Sequence, residues 1–142
     1  MQFLQIAAKS ARLREAANAF IAEALKQKGL DDIQPCHGDL LAYVYQNPGI
    51  KVTELAARTR RTKSTVSAMS DKLVRLGYLE KRPDPQDSRA VGLWALDKAQ
   101  ALRPVFEEIS RQMNEKLSAG FTQEELERFE FFLDKARMNL LD

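Results

Sequence analysis

Two prolines within three residues, Pro83 and Pro85, interrupt a chain that is otherwise rich in helix formers, and they forbid a helix at that point. The flanking residues change their period accordingly. Tyr78-Leu79-Glu80-Lys81-Arg82 reads as a short strand, Pro83 to Ser88 as a polar turn, and Ala90 to Leu96 as a second strand. The segment therefore predicts one β-hairpin with a polar tip, and everything around it must be compatible with a hairpin set among helices.

Upstream, four helices are expected. Phe3 to Lys28 contains no Gly or Pro, its apolar residues Ile6, Leu13, Ala17, Phe20 and Ala24 recur at helical spacings, and Gly29 stops it. At ~1.5 Å per residue such a helix approaches ~40 Å, long enough to pack outside a compact core and against a partner. A second helix covers Cys36 to Gln46 and breaks at Asn47-Pro48-Gly49. Two shorter ones follow, Val52 to Arg58 and Lys63 to Leu76, the latter with Thr62 as its N-cap and Gly77 as its stop.

Downstream, Asp97 with Gln100 resembles a capping box that opens a helix from Lys98 to Leu117. Thr122 with Glu125 forms a cleaner box that opens a last helix reaching Leu140. In that last helix Leu126, Phe129, Phe132, Leu133, Ala136 and Leu140 form a stripe of period 3.6. The fold class expected is mainly α with a small β-hairpin. Residues 36–96 would form the central unit, and residues 1–35 and 97–142 a helical region with more apolar surface than the small centre can cover.

Charge is unevenly spread. Residues 51–89 carry ten basic and five acidic side chains, residues 1–50 five of each, and residues 90–142 seven basic and ten acidic. A basic block between neutral and acidic flanks suits a polyanion-binding face. The pair of short helices in that block has the form of a helix-turn-helix. Val52, Leu55 and Ala56 face inward on the first helix, Thr59 to Thr62 make the turn, and Val66, Met69, Leu73 and Leu76 face inward on the second. The outward face of the second helix holds Lys63, Ser64, Thr65, Ser67, Ala68, Asp71 and Lys72. Its short hydroxyls and free N-terminal N–H groups suit base edges and phosphate oxygens. The hairpin then reads as a basic wing, with Lys81 and Arg82 on the way in and Gln86, Asp87 and Arg89 at the tip. Arg in a narrow minor groove gains from the enhanced negative potential there. Asp87 is expected to hold the Arg89 guanidinium by a charge-assisted bond.

These residues resemble a known family. Thr53-Glu54-Leu55-Ala56, Lys63-Ser64-Thr65-Val66-Ser67, Lys72 to Leu79, and the wing motif Asp87-Ser88-Arg89 followed by Leu93 look like the DNA-binding core of MarR regulators, named for multiple antibiotic resistance. The flanking helices fit in length and order. The resemblance implies a winged helix-turn-helix core flanked by long dimerisation helices, and an obligate homodimer formed by the first helix and the last two. It implies a recognition helix in the major groove and Arg89 at the minor groove or its phosphates. It also implies a repressor that a small, often phenolic or anionic, effector releases. Lys51, Arg60, Arg61, Lys63 and Lys72 would neutralise phosphates, and Ser64, Thr65 and Ser67 would meet bases or backbone. The partner would be double-stranded DNA with a pseudo-palindromic site.

Other chemistries find less support. The single cysteine, Cys36, excludes an intramolecular disulfide and fits a reducing compartment. No apolar run approaches the ~18–20 residues of a membrane span, and Met1 to Lys9 lacks the order of a signal peptide, so a cytoplasmic protein is expected. No catalytic set, Gly-rich phosphate loop, cofactor motif or metal-ligand cluster is present in the sequence. Cys36 and His37, with Tyr43 and Trp94, are candidates to line an effector pocket. A redox-responsive regulator sensing through Cys36, and a winged-helix docking module that touches no DNA, remain as alternatives.

Overall fold

A computed structural model describes residues 4–141. Phe3, expected to open the first helix, lies outside the described residues. The element order is α1 (Ile6–Gln27), α2 (Pro35–Gln46), β1 (Ile50–Lys51), α3 (Val52–Thr59), α4 (Lys63–Arg75), β2 (Leu79–Pro83), β3 (Val91–Ala95), α5 (Asp97–Leu117) and α6 (Gln123–Leu141). The class is mainly α with a hairpin wing, as the period change predicts.

Three local expectations need correction. The sheet has three strands in the order β1-β3-β2, not two. Ile50 pairs with Leu93 and Lys51 with Gly92, a two-residue strand too short to show an alternating pattern. Glycine makes this pairing possible, because a Cβ on Gly92 would lie 2.8 Å from the Gly49 carbonyl oxygen. Asp97 does not cap α5 from outside. It is the first helical residue, and the Gln100 N–H bonds to the Leu96 carbonyl instead. Pro83 belongs to β2 and not to the turn.

Other caps form as expected. The Thr62 hydroxyl accepts from the Thr65 N–H at 3.2 Å. The Thr122 N–H donates to Glu125 Oε1 at 2.9 Å while the Glu125 N–H donates to Thr122 Oγ1 at 3.1 Å, so two otherwise orphaned donors are satisfied reciprocally.

The chain divides into two compact units, Met1–Ser110 and Arg111–Asp142, with the boundary inside α5. The reason is packing. Leu25 of α1 and Ala99, Leu102 and Ile109 of α5 are buried in the same core as Leu40, Leu55, Leu73 and Leu93. Helix α2 approaches α5 closely enough that a Cβ on Gly38 would lie 2.5 Å from the Phe106 ring. In the second unit α6 buries no residue. The unit's aromatic rings meet edge to face, Phe121 before α6 on Phe129 at 6.3 Å and Phe131 on Phe132 at 5.6 Å.

Candidate nucleic-acid interface

Helix α3 presents Val52, Leu55 and Ala56 to the core, which fixes its roll and leaves Thr53 and Glu54 outside. The turn to α4 depends on an unusual backbone. Arg60 takes the left-handed conformation (φ 55°, ψ 41°) at the C-cap of α3, a position glycine fills more cheaply. Helix α4 then buries Val66 and Leu73, with Met69 and Leu76 partly covered. It also buries Ser70, whose hydroxyl has no hydrogen-bond partner among the described residues, a polar core position that the apolar pattern did not disclose.

Lys63, Ser64 and Thr65 are exposed at the start of α4, and Ser67 and Lys72 are half-buried. The hydroxyls are not idle in the unbound protein. The Thr62 hydroxyl donates to Thr65 Oγ1 at 2.8 Å, and the Ser64 hydroxyl lies 3.2 Å from Thr62 Oγ1. The cap therefore orients two of the three hydroxyl side chains assigned to base edges or phosphates.

The wing runs from Leu79, paired with Ala95, to Pro83, paired with Val91. Two Asp side chains shape its tip. Asp84 Oδ1 accepts from the Gln86 N–H at 2.8 Å, and Asp87 Oδ1 from the Arg89 N–H at 3.0 Å. The second bond corrects an expectation: Asp87 holds the backbone of Arg89, not its guanidinium, so the charged group is left free to leave the tip. The Asp84 carboxyl sits below its ordinary range because the Gln86 N–H and the Lys51 ammonium both favour the anion.

A cleft of about 170 Å³ lies between α4 and the wing, lined among others by Lys51, Thr53, Lys63, Ser67, Lys81 and Arg89. The structure thus gathers side chains from β1, α3, α4 and both arms of the wing into one basic recess. The cations differ in state. Lys51 pairs with Asp84 at 3.2 Å, Lys81 with Asp71, and Arg82 with Glu80 at 2.7 Å. Arg82 also lies over the Trp94 ring at 4.9 Å. Arg61 is held by Asp39 at 3.4 Å, and the same carboxylate oxygen receives Arg14 of α1 at 3.0 Å. Arg60, Lys63, Lys72 and Arg89 form no ion pair among the described residues. Sequence reasoning missed Asp39 and Arg14, and no local spacing could have found them.

The candidate pocket residues are distributed. Cys36 is half-buried beside the Gln34 amide oxygen. His37 is buried, and its Nδ1 accepts from the Gln34 N–H at 3.0 Å. Burial, and then Lys72, hold its pKa below the ordinary value. Trp94 packs on Gly49, where a Cβ would lie 2.8 Å from the ring, and beneath Arg82. Tyr43 lines a cavity of about 410 Å³ with Asp39, Gln46, Arg58, Arg60 and Arg61. Among the described residues no three metal-binding side chains gather, and no helix is long and apolar enough to cross a membrane.

Comparison with known proteins gives consistent relatives. Residues 28–90 match the sequence model of the MarR family. An uncharacterised HTH-type transcriptional regulator, YybA of Bacillus subtilis, is 29% identical over 100 residues, covering 70% of this chain and 67% of the relative. A MarR protein from Peptoclostridium difficile superimposes with a TM-score of 0.87 at 26% identity, over 99% of this chain and 90% of its own. The S. aureus MepR–DNA complex shares the fold with a TM-score of 0.87 at 24% identity, over 97% of this chain and 99% of its own.

Proposed function

The chain belongs to the MarR family of transcriptional regulators, and from that premise we propose that it binds a pseudo-palindromic duplex as a homodimer and represses transcription until a small effector releases it. The observation that carries the DNA reading is the recess between α4 and the wing. There the unpaired cations Lys63 and Arg89 line the same space of about 170 Å³ from opposite elements, the place where a phosphate backbone would pass between a helix in the major groove and a wing beside the minor groove. The MepR structure, a complex with DNA, has the same fold and supports DNA binding by analogy.

Within this reading Ser64, Thr65 and Ser67 meet base edges or phosphates, and Arg60, Lys63, Lys72 and Arg89 contact phosphate directly. Lys51, Arg61 and Arg82 do so after leaving their carboxylates. The dimer reading rests on apolar surface. Phe129, Phe131, Phe132 and Leu140 of α6 are 43%, 61%, 52% and 84% exposed, an accumulation on one helix that marks an interaction surface. Ile6 of α1 is separately 50% exposed. An effector with an aromatic ring and an acid group would find Tyr43 and several arginines in the larger cavity.

Selection of bound duplexes from a random pool at two salt concentrations tests the proposal. An inverted repeat with half-sites ~10 bp apart is expected. No enrichment from a folded protein would remove it. Arg89→Ala should then weaken operator binding by roughly ten- to a hundredfold with the dimer intact; unchanged affinity would take the wing out of the mechanism.

A further inference from the structure

Half of the basic side chains assigned to the DNA interface are already occupied. Lys51 and Lys81, which line the recess, are held by Asp84 at 3.2 Å and by Asp71, while Arg82, the next residue of β2, is held by Glu80 through both Nε at 3.1 Å and Nη2 at 2.7 Å. Two of the pairs join different elements, and the third lies within β2. The Asp71 carboxylate stands on the outward face of the recognition helix and draws Lys81 across from β2. The Asp84 carboxylate stands at the wing tip and draws in Lys51 from β1. Arg82 is held between Glu80 and the Trp94 face. The carboxyl groups of Asp71 and Asp84 both sit below their ordinary range, Asp71 chiefly through its bond to Lys81, as acids in contact with cations do.

We propose that Asp71, Glu80 and Asp84 are specificity-determining residues of the DNA interface, acting as internal stand-ins for phosphate that a duplex must displace. The inference rests on the DNA-binding reading above and adds to it. The physics is a competition between two anions for one cation. A carboxylate in contact at ~3 Å outcompetes a phosphate still separated by water, because the attraction falls with distance and is screened. Nonspecific complexes depend almost wholly on such loosely held phosphates. They therefore leave the three cations with their carboxylates and lose that part of their affinity. Only when α4 seats fully on its bases does a phosphate come into contact and take the cation over. The screen thus weakens random DNA more than operator, and it lowers the salt dependence of random binding, since a cation already neutralised displaces no counterion.

The test compares wild type with the triple variant Asp71→Asn, Glu80→Gln, Asp84→Asn on the selected operator and on a scrambled duplex of equal length, as a function of salt. Asp71 and Glu80 are exposed, and Asp84→Asn keeps an Oδ1 acceptor for the Gln86 N–H, so the variant should keep its fold, checked by its thermal melt. The variant should bind the scrambled duplex about thirtyfold more tightly, at ~threefold per surface pair, with a log–log salt slope steeper by ~2–3. Operator affinity should rise less, so the operator-to-scrambled ratio falls. Asp71→Asn should lose its effect in a Lys81→Gln background. Loosening of the wing alone would raise neither nonspecific affinity nor the salt slope. Equal gains on both duplexes, an unchanged slope, or the same Asp71→Asn gain with and without Lys81 would each overturn the inference while leaving the regulator reading intact. Failure of the wild-type protein to bind either duplex would overturn both.

Discussion

The two compact units of this chain solve the same packing problem differently. The unit Met1–Ser110 buries its large apolar side chains among themselves, with Leu25, Leu40, Leu41, Leu55, Leu73 and Leu93 at 0% exposure. The unit Arg111–Asp142 has an equally strong apolar pattern, yet every described residue of α6 is left at least partly exposed. One unit closes a core within the chain, though Leu4, Ile6 and Leu13 at its start stay exposed; the other has the side chains of a core without enough neighbours to make one. An amphipathic stripe in a sequence therefore states that a face will be covered, not by which chain.

The largest effect that would break this contrast is on the second unit. Phe129→Glu with Leu133→Glu should abolish the proposed dimer, because two charges would be buried in its apolar interface. Sedimentation should show folded monomers with operator binding lost; a folded dimer of the double variant would refute the assigned surface. In the first unit, Leu73→Ala should lower stability by about 2–5 kcal/mol through the cavity left in a closed core, read as the midpoint shift in denaturant. A loss no larger than that of Leu133→Ala in the same assay would erase the distinction between the units.

Smaller effects sharpen the picture at the helix-turn-helix. Arg60→Gly should raise stability by about 1 kcal/mol, since a left-handed non-glycine residue costs roughly that much. The same change should weaken DNA binding by loss of an unpaired cation. A variant that loses stability would mean the side chain contributes more to the fold than its backbone costs.

The smallest effect is a pH dependence centred on His37. Its folded pKa lies below the unfolded value because burial, and then Lys72, disfavour the charged imidazole. The unfolded chain therefore takes up a proton first as pH falls through ~6.5. The stability contributed by the neutral ring is present above that pH and lost progressively below it. Thermal melts between neutral and mildly acidic pH should show the decline, and a His37→Gln chain should show less of it. An equal decline in both chains would place the titrating group elsewhere.

Much of the candidate site was legible along the chain because its signals are local. The Pro83–Pro85 pair marked the wing, Thr62 marked the start of the recognition helix, and the Asp87-Ser88-Arg89 run marked the tip. Each works between near neighbours, through turn chemistry or capping bonds. The role of Asp87 was misjudged at the same range. A side-chain bond to a backbone N–H two residues on competes with the longer reach to a guanidinium, and the shorter loop closes more readily. The pocket residues were the least legible. Nothing in a sequence says that Trp94 will lie between Gly49 and Arg82 while Tyr43 opens on a cavity with Arg60.

By itself the sequence determined the helices, most of their caps, the hairpin and the basic character of the middle third, because periodicity, capping and turn preference act between near neighbours. The tertiary structure decided what those elements meet. It placed β1 against β3, buried the Ser70 hydroxyl in an apolar core, drew Arg61 to Asp39 from 22 residues away, and set the unit boundary inside α5. Each of these is a choice among distant partners, and only the folded arrangement, which brings one partner within contact distance and leaves the others out of reach, can make it.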